Sequence, residues 1–381
     1  MSGGVWSSAG QLPWERNLFG ATSGAVQLAD GRVLITGGSD GRLTAQAGTA
    51  LFDPRAGTWV EGKPVPTARR MHSTTLLADG RVLVAGGYGG ANSPLVRPLA
   101  GAELYDPVAD AWTPAGELRE ARYAHSATLL ADGRVLVAGG TSLRSPASER
   151  SLTSAELFDP VTREWTTTRE MTDARSFHPA VALPDGRVLV AGGWVATSRN
   201  WRGGAALAYC ERYDPAAGTW TPTGSFAAPL SSHQLTLLAD GSVLATGGGD
   251  YEGGADGRLD PYSRATVERY DPGSGVWAPE TDMPCGRAQH RAVPLPTGEV
   301  LVMGGTTDVL GDAGFRSAVR YDPLARSWTP VPGMAVGRTE FAATALADGR
   351  VLVAGGSVRT GPATPSGGYH LLTRTSELYS P

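Results

Sequence analysis

A Gly-Gly pair returns seven times along the 381 residues, beginning at Gly37, Gly86, Gly139, Gly192, Gly247, Gly304 and Gly355, with separations of 49, 53, 53, 55, 57 and 51 residues. A period of this length decides the kind of fold, because each unit is one supersecondary block that cannot bury its apolar surface alone. The order inside each unit is constant. An apolar run leads to an Asp-Gly or similar turn, then "RVLV" or a variant ending on the double glycine, a variable segment, an aromatic-Asp-Pro signal and a tryptophan. Asp-Gly between alternating apolar runs is a strong hairpin signal, since a type I′ turn needs φ > 0 at both central residues. Each unit is therefore expected to hold four short strands, a to d. In the third unit these are "HSATLL", "RVLVAGG", "SAELFDP" and the strand bearing Trp165. One such sheet leaves a face uncovered, and a ring of them does not.

Composition agrees with an all-β chain. The 52 glycines and 27 prolines are spread evenly, there is no amphipathic helical stretch, and the longest apolar runs are strand-sized, too short to span a bilayer. The net charge of −4 comes without a Lys/Arg cluster, so nucleic acid and membrane are not expected partners. Lys63 is the sole lysine, a usage that resembles a GC-rich bacterial gene product. Two cysteines, Cys210 and Cys285, do not make a disulfide scaffold.

The two ends of the chain complete one another. "SAELFDPVTREWTTT" and "GAELYDPVADAWTPAG" run on to a tryptophan, whereas the last copy, "TRTSELYSP", stops at Pro381 without one. The missing strand is found at the start, where "VWSSAG" with Trp6 matches "AWTPAG" with Trp112. The N-terminal segment should close the ring. It is then not a cleaved targeting peptide, it lacks an apolar h-region, and a cytoplasmic location is expected. With both ends used in closure, no appended domain is expected, and residues 1–381 should form a single propeller domain.

The pattern resembles the kelch repeat over the whole chain. The marks are the double glycine after strand b, the strand c aromatics (Phe52, Tyr105, Phe158, Tyr213, Tyr270, Tyr321, Tyr379) and the strand d tryptophans (Trp59, Trp112, Trp165, Trp220, Trp277, Trp328). The resemblance implies a seven-bladed β-propeller of four-stranded blades. For function it leaves several classes open: protein-interaction scaffolds, the commonest role of kelch domains; sugar epimerases among bacterial propellers; and radical-copper oxidases of the galactose oxidase type. The copper oxidases carry a Tyr-His pair at the start of a strand a, where this chain has Met71, Ala124, Phe177, Ser232 or Gln289 before the histidine. Its one Tyr-His pair, Tyr369-His370, lies in the wrong element.

Strand direction alternates, so the short a–b and c–d turns share one face and the variable b–c and d–a loops share the other. Loops that vary on a uniform scaffold are where binding is usually placed. His72, His125, His178, His233 and His290 each follow a tryptophan by 13 residues, and the same register gives Phe341 and Ser23 in the remaining units. Three residues earlier stand Arg69, Arg122, Arg175, Arg287 and Arg338, with Leu230 in the fifth unit. Repetition suits a structural role for these positions, and for Glu103, Glu156, Glu211, Glu268 and Glu377 as partners holding strand c to arginine. Departures from the repeat suit function.

The expected activity is therefore binding of a small polar or anionic ligand at the channel mouth by a monomer, with acid–base chemistry that needs no redox cofactor. His125, His178, His290 and Glu340 are the candidate catalytic groups. Arg122, Tyr123, Arg175, Phe177, Trp194, Trp201, Tyr251, Arg287, Gln289 and Arg338 are the candidate ligand contacts, joined by Tyr369 and His370 in the last loop. No cofactor and no dedicated metal site are expected. The alternatives are a non-catalytic scaffold for a protein partner and, as a minor variant, zinc or copper on the histidine arc. Cys285, five residues before His290, reads as a free loop thiol.

Overall fold

The computed structural model describes residues 3–18, 24–89, 97–145, 148–196, 204–250, 263–307, 314–360 and 370–381. Seven four-stranded antiparallel sheets follow one another in chain order. The first comprises Ala25–Gln27, Val33–Thr36, Thr49–Asp53 and Thr58–Gly62, and the other blades repeat this plan. The innermost strands touch in sequence from blade one to blade seven, and the strand a of blade seven, Ala342–Ala345, touches that of blade one. This cycle makes the chain a seven-bladed propeller. Among the described residues no helix is long and apolar enough to cross a membrane.

Closure follows the expectation. Val5–Gln11 pairs antiparallel with Thr375–Ser380, with Trp6 opposite Tyr379. The rings lie 5.1 Å apart, as Trp112 and Tyr105 do at 5.0 Å in blade two. All these strand d indoles but Trp277 donate to the preceding blade: Trp112 Nε1 to the Lys63 carbonyl (2.9 Å), Trp165 Nε1 to that of Ala115 (2.8 Å), and Trp6 Nε1 to that of Pro332 (2.7 Å). Trp6 thus serves blade seven against blade six although it lies at the other end of the chain.

Every strand b is fully buried, as in Val135–Ala138 and Val188–Ala191, and the core lies between blades. Leu83, Leu104 and Ala115 of blade two, for example, pack with Val135, Val137, Phe158 and Trp165 of blade three.

Candidate functional site

The double glycines lock blade to blade. Their φ values lie near +60° for the first and from +88° to +105° for the second, a region that favours glycine. The second glycine donates its N–H to a carbonyl of the next blade at the arginine position: Gly38 to Arg69, Gly87 to Arg122, Gly140 to Arg175, Gly193 to Leu230, Gly248 to Arg287, and Gly305 to Arg338, at 2.8–2.9 Å. The seventh bond, Gly356 N–H to the Arg16 carbonyl at 2.9 Å, closes the circle. Arg16 is therefore blade one's arginine. Sequence register misses it because 21 residues separate it from Gly37, where Arg69 and Gly86 are 17 apart.

The arginines are not offered to a ligand. Arg69, Arg122, Arg175, Arg287 and Arg338 are all fully buried. Nη1 of Arg122 donates to the carbonyls of Gly139 (2.7 Å) and Ser154 (2.9 Å), and Nη2 to Glu156 Oε1 (2.8 Å). Arg175 repeats this with Gly192, Tyr209 and Glu211, and Arg338 with Gly355, Thr375 and Glu377. Arg69 pairs with Glu103. The glutamates also accept d–a loop amides, as Glu156 does from Arg119 at 2.7 Å. Blades five and six depart in complementary ways. In five, Leu230 replaces the arginine, and burial raises the pKa of Glu268, which keeps only the Ala227 amide. In six, Val319 stands in place of glutamate, and Arg287 Nη2 donates to Ser317 Oγ (3.2 Å) and Cys285 Sγ (3.1 Å). The Nη donors of Arg122, Arg175, Arg287 and Arg338, named above as candidate ligand contacts, are thus engaged inside the blades.

The histidines likewise lie beneath the loop face. Each imidazole sits between two glycines. A Cβ on Gly86 would meet His125 Cε1 at 2.8 Å, and one on Gly140 would meet His125 Cβ at 2.9 Å. Nε2 is hydrogen-bonded to a hydroxyl of the preceding blade: His72 to Thr36 (3.1 Å), His125 to Ser73, His178 to Ser126 and His290 to Thr246 (each 2.9 Å). Burial, with neighbouring arginine charges, drives His72 down to about 3, and holds His125, His178 and His290 well below the usual imidazole range. Burial alone takes His233 to about 3. His233 finds no such hydroxyl, since Pro179 and Ala191 occupy the corresponding places. Burial and a hydroxyl of the preceding blade thus hold His72, His125, His178 and His290 beneath the loop face. His125, His178 and His290, named above as candidate catalytic groups, are all buried. Among the described residues no cluster of three or more His, Cys, Asp or Glu could hold a metal ion.

Around the loop face runs a collar of the residues that break the repeat, partly exposed except at buried Ala124. Met71, Ala124, Phe177, Ser232, Gln289 and Glu340, each just before the histidine register, all adopt left-handed φ of 51–55°. Their backbones join blade to blade: Ala124 N–H donates to the Met71 carbonyl, Phe177 to Ala124, Gln289 to Ser232, and Leu18 of blade one to Glu340 (2.8–3.1 Å). One residue earlier the chain pairs with the b–c loop, as in Tyr123 with Thr141 and Ser176 with Trp194.

The remaining candidates divide. Tyr123 is nearly buried and its hydroxyl donates to Glu149 Oε1 (2.7 Å). Trp194 is 7% exposed, packed at the base of its loop. Gln289 Oε1 accepts from Thr339 Oγ1 (3.0 Å). Glu340 joins blades seven and one, accepting from Asn17 Nδ2 and from Ser357 Oγ (3.1 Å). Arg291, unsuspected from sequence, is buried beside it. Its Nε donates to the Phe341 carbonyl (2.8 Å), and desolvation lowers it to about 10 against the opposing pull of Glu340. Trp201, Tyr251, Tyr369 and Ser23 lie outside the described residues, and His370 is described only as a strand residue opposite Thr360. On the turn face a shallow pocket of about 340 Å³ lies between blades two and three, lined by Asp79, Asp132, Arg134, Asp159 and Pro160. Asp79 and Asp132 are paired there with their own turn arginines.

The comparisons with known proteins agree with this architecture. The kelch motif model matches residues 69–119, 122–172 and 175–226, which are blades two to four. Alpha-scruin of Limulus polyphemus is 26% identical over 247 residues, 64% of this chain and 25% of its own. Kelch-like protein 36 of Rattus norvegicus is 26% identical over 239 residues, 62% of this chain and 36% of its own. The chain thus spans about a quarter to a third of these curated relatives. Among solved structures, a fungal alcohol oxidase of the AA5 family, in complex with copper, superposes with a TM-score of 0.72 at 19% identity, covering 100% of this chain and 77% of that one. YjhT gives 0.62 at 16% identity, covering 84% and 98%. At these identities the likeness is one of fold. Repeat and ring together define the class: the chain is a β-propeller, and its blades two to four match the kelch motif.

Proposed function

We propose that the protein is a non-catalytic binding scaffold that holds a protein partner on its b–c and d–a loop face. One observation carries the reading. The polar groups that recur at that face are consumed in joining blades, so what remains for recognition is a mixed set of collar side chains, Met71, Phe177, Ser232 and Gln289, on a rigid hydrogen-bonded ring. A surface of apolar and uncharged polar groups on a preorganised backbone suits protein recognition, where rigidity limits the entropy lost on binding. The relatives support it, since kelch-like proteins are among them. In this reading residues 1–381 act as one propeller domain, as a monomer, in the cytoplasm. The test is partner capture with matched variants, using Phe177→Ala combined with Gln289→Ala on the loop face and Asp132→Asn on the turn face. Capture should be lost only with the first pair. Retention by the collar variant, or turnover of a small substrate that survives in the scaffold's place, would reject it.

A further inference from the structure

Arg70 stands apart from the buried arginines of the loop face. It follows Arg69 in the short strand Arg69–Arg70, which pairs with Tyr88–Gly89, itself paired with Arg97–Pro98. Its guanidinium carbon lies 5.3 Å from the centre of the Tyr88 ring, and Tyr88 packs on Tyr123 at 5.0 Å with the planes tilted by 59°. The Tyr123 hydroxyl is anchored to Glu149. Arg69, Arg122, Arg175, Arg287, Arg338 and Arg291 all donate to carbonyls. Arg70, by contrast, has neither a hydrogen bond nor an ion pair from its side chain among the described residues, and its Nε is sealed from solvent with no acceptor. The nearest attracting carboxylates are engaged elsewhere: Glu340 by Asn17 and Ser357, and Asp40 by the amides of Arg42 and Thr44. Burial works against the charge and lowers its pKa. A desolvated guanidinium without an acceptor is a standing penalty, and a ligand anion would remove it. The residue remains partly open to solvent, so an anion can reach it.

We propose that Arg70, Tyr88 and Tyr123 form a carboxylate-binding site. The guanidinium fork takes both oxygens, and the tilted tyrosine pair covers the body that carries them. The inference deepens the scaffold reading by naming the chemistry a bound group brings to the loop face, and it rests on that reading for its setting. A carboxylate can arrive on a small molecule or on a peptide side chain, so two probes are titrated calorimetrically against the full chain: benzoate, and the capped peptide acetyl-Gly-Glu-Gly-amide. One-to-one binding of either probe is expected, weakened at least tenfold in Arg70→Gln and in Tyr88→Leu. Benzoate alone would assign the site to small carboxylates, and the peptide alone to acidic side chains. Arg70→Gln should melt at or above the wild type, since it removes a desolvated charge and breaks no hydrogen bond. Binding of neither probe, equal binding by Arg70→Gln, or a melting temperature lowered by several degrees in that variant would each overturn the assignment. Partner capture through Phe177 and Gln289 is read in a separate assay, so the two readings fail independently.

Discussion

Mild acid should unfold this propeller, and the five buried histidines set the scale. Folded His72 and His233 titrate near 3, and His125, His178 and His290 well below normal, because burial opposes the charged form. In the unfolded chain each would titrate near its ordinary value of about 6.5. The folded values are depressed, so the unfolded state binds more protons between about 6.5 and about 3, and stability falls as pH drops through that window. At pH 5 His72 and His233 each favour the unfolded chain by about 2 kcal/mol, and His125, His178 and His290 act in the same direction. The first two alone reach about 4 kcal/mol, a large share of the whole stability of a typical domain at about 5–15 kcal/mol. Half-buried Glu268, whose pKa is raised, works the other way, but as a single group it offsets only part of the loss. The assay is urea unfolding at pH 7.5, 6 and 5, followed by tryptophan fluorescence. His233→Phe supplies the internal control: its ring lacks a hydroxyl partner, packs edge-on at 5.2 Å against Phe226, and has a natural counterpart in Phe341. That variant should hold its melting temperature at pH 7.5 and lose about 2 kcal/mol less stability at pH 5. Unchanged urea midpoints from pH 7.5 to 5 would refute the reasoning, as would a His233→Phe chain with the full acid sensitivity.

Further outcomes follow from the same contacts. His178→Phe should cost about 1–2 kcal/mol at neutral pH, because it strands the Ser126 hydroxyl, and chemical denaturation will read this. Arg122→Met should cost about 3–5 kcal/mol by leaving Glu156 buried without its cation, a loss visible in the melting temperature. Deleting residues 1–10 removes Trp6 and most of the closing strand, and should abolish the cooperative melting transition or leave the chain insoluble. Asp132→Ala, which removes the acceptor for the Arg134 amide in an exposed turn, should cost only about 1 kcal/mol and leave loop-face binding untouched.

The ring could be read from sequence because its determinants are local and repeated. The hairpin turn, the glycine pair and the tryptophan each act within a few residues, and Trp6 betrays closure by matching Trp112. The histidines could be placed along the chain but not in depth, since spacing does not tell whether an imidazole faces the channel or the next blade. The glycines flanking it in space could have told, for only a buried ring needs both neighbours to lack a Cβ. Arg16, Asn17 and Leu18 escaped the register because blade one inserts four extra residues before strand b. Arg70 and Arg291 were overlooked because they occupy the register beside a repeated residue, where blades two and six alone carry arginine.

The collar has an evolutionary consequence. At six stations around one axis the main chain takes the same left-handed turn, whether the residue is methionine, alanine, phenylalanine, serine, glutamine or glutamate. The carbonyl-to-amide links that hold these stations use no side-chain atoms, so the side chain at a station such as Ser232 can be exchanged without dismantling the links themselves. Such a device works like a row of type slots: the frame stays fixed while the characters change, and a new specificity can be composed one position at a time. Glu340 and Gln289 are exceptions, because the carboxylate also fastens blade seven to blade one and the amide oxygen accepts from Thr339 of blade seven.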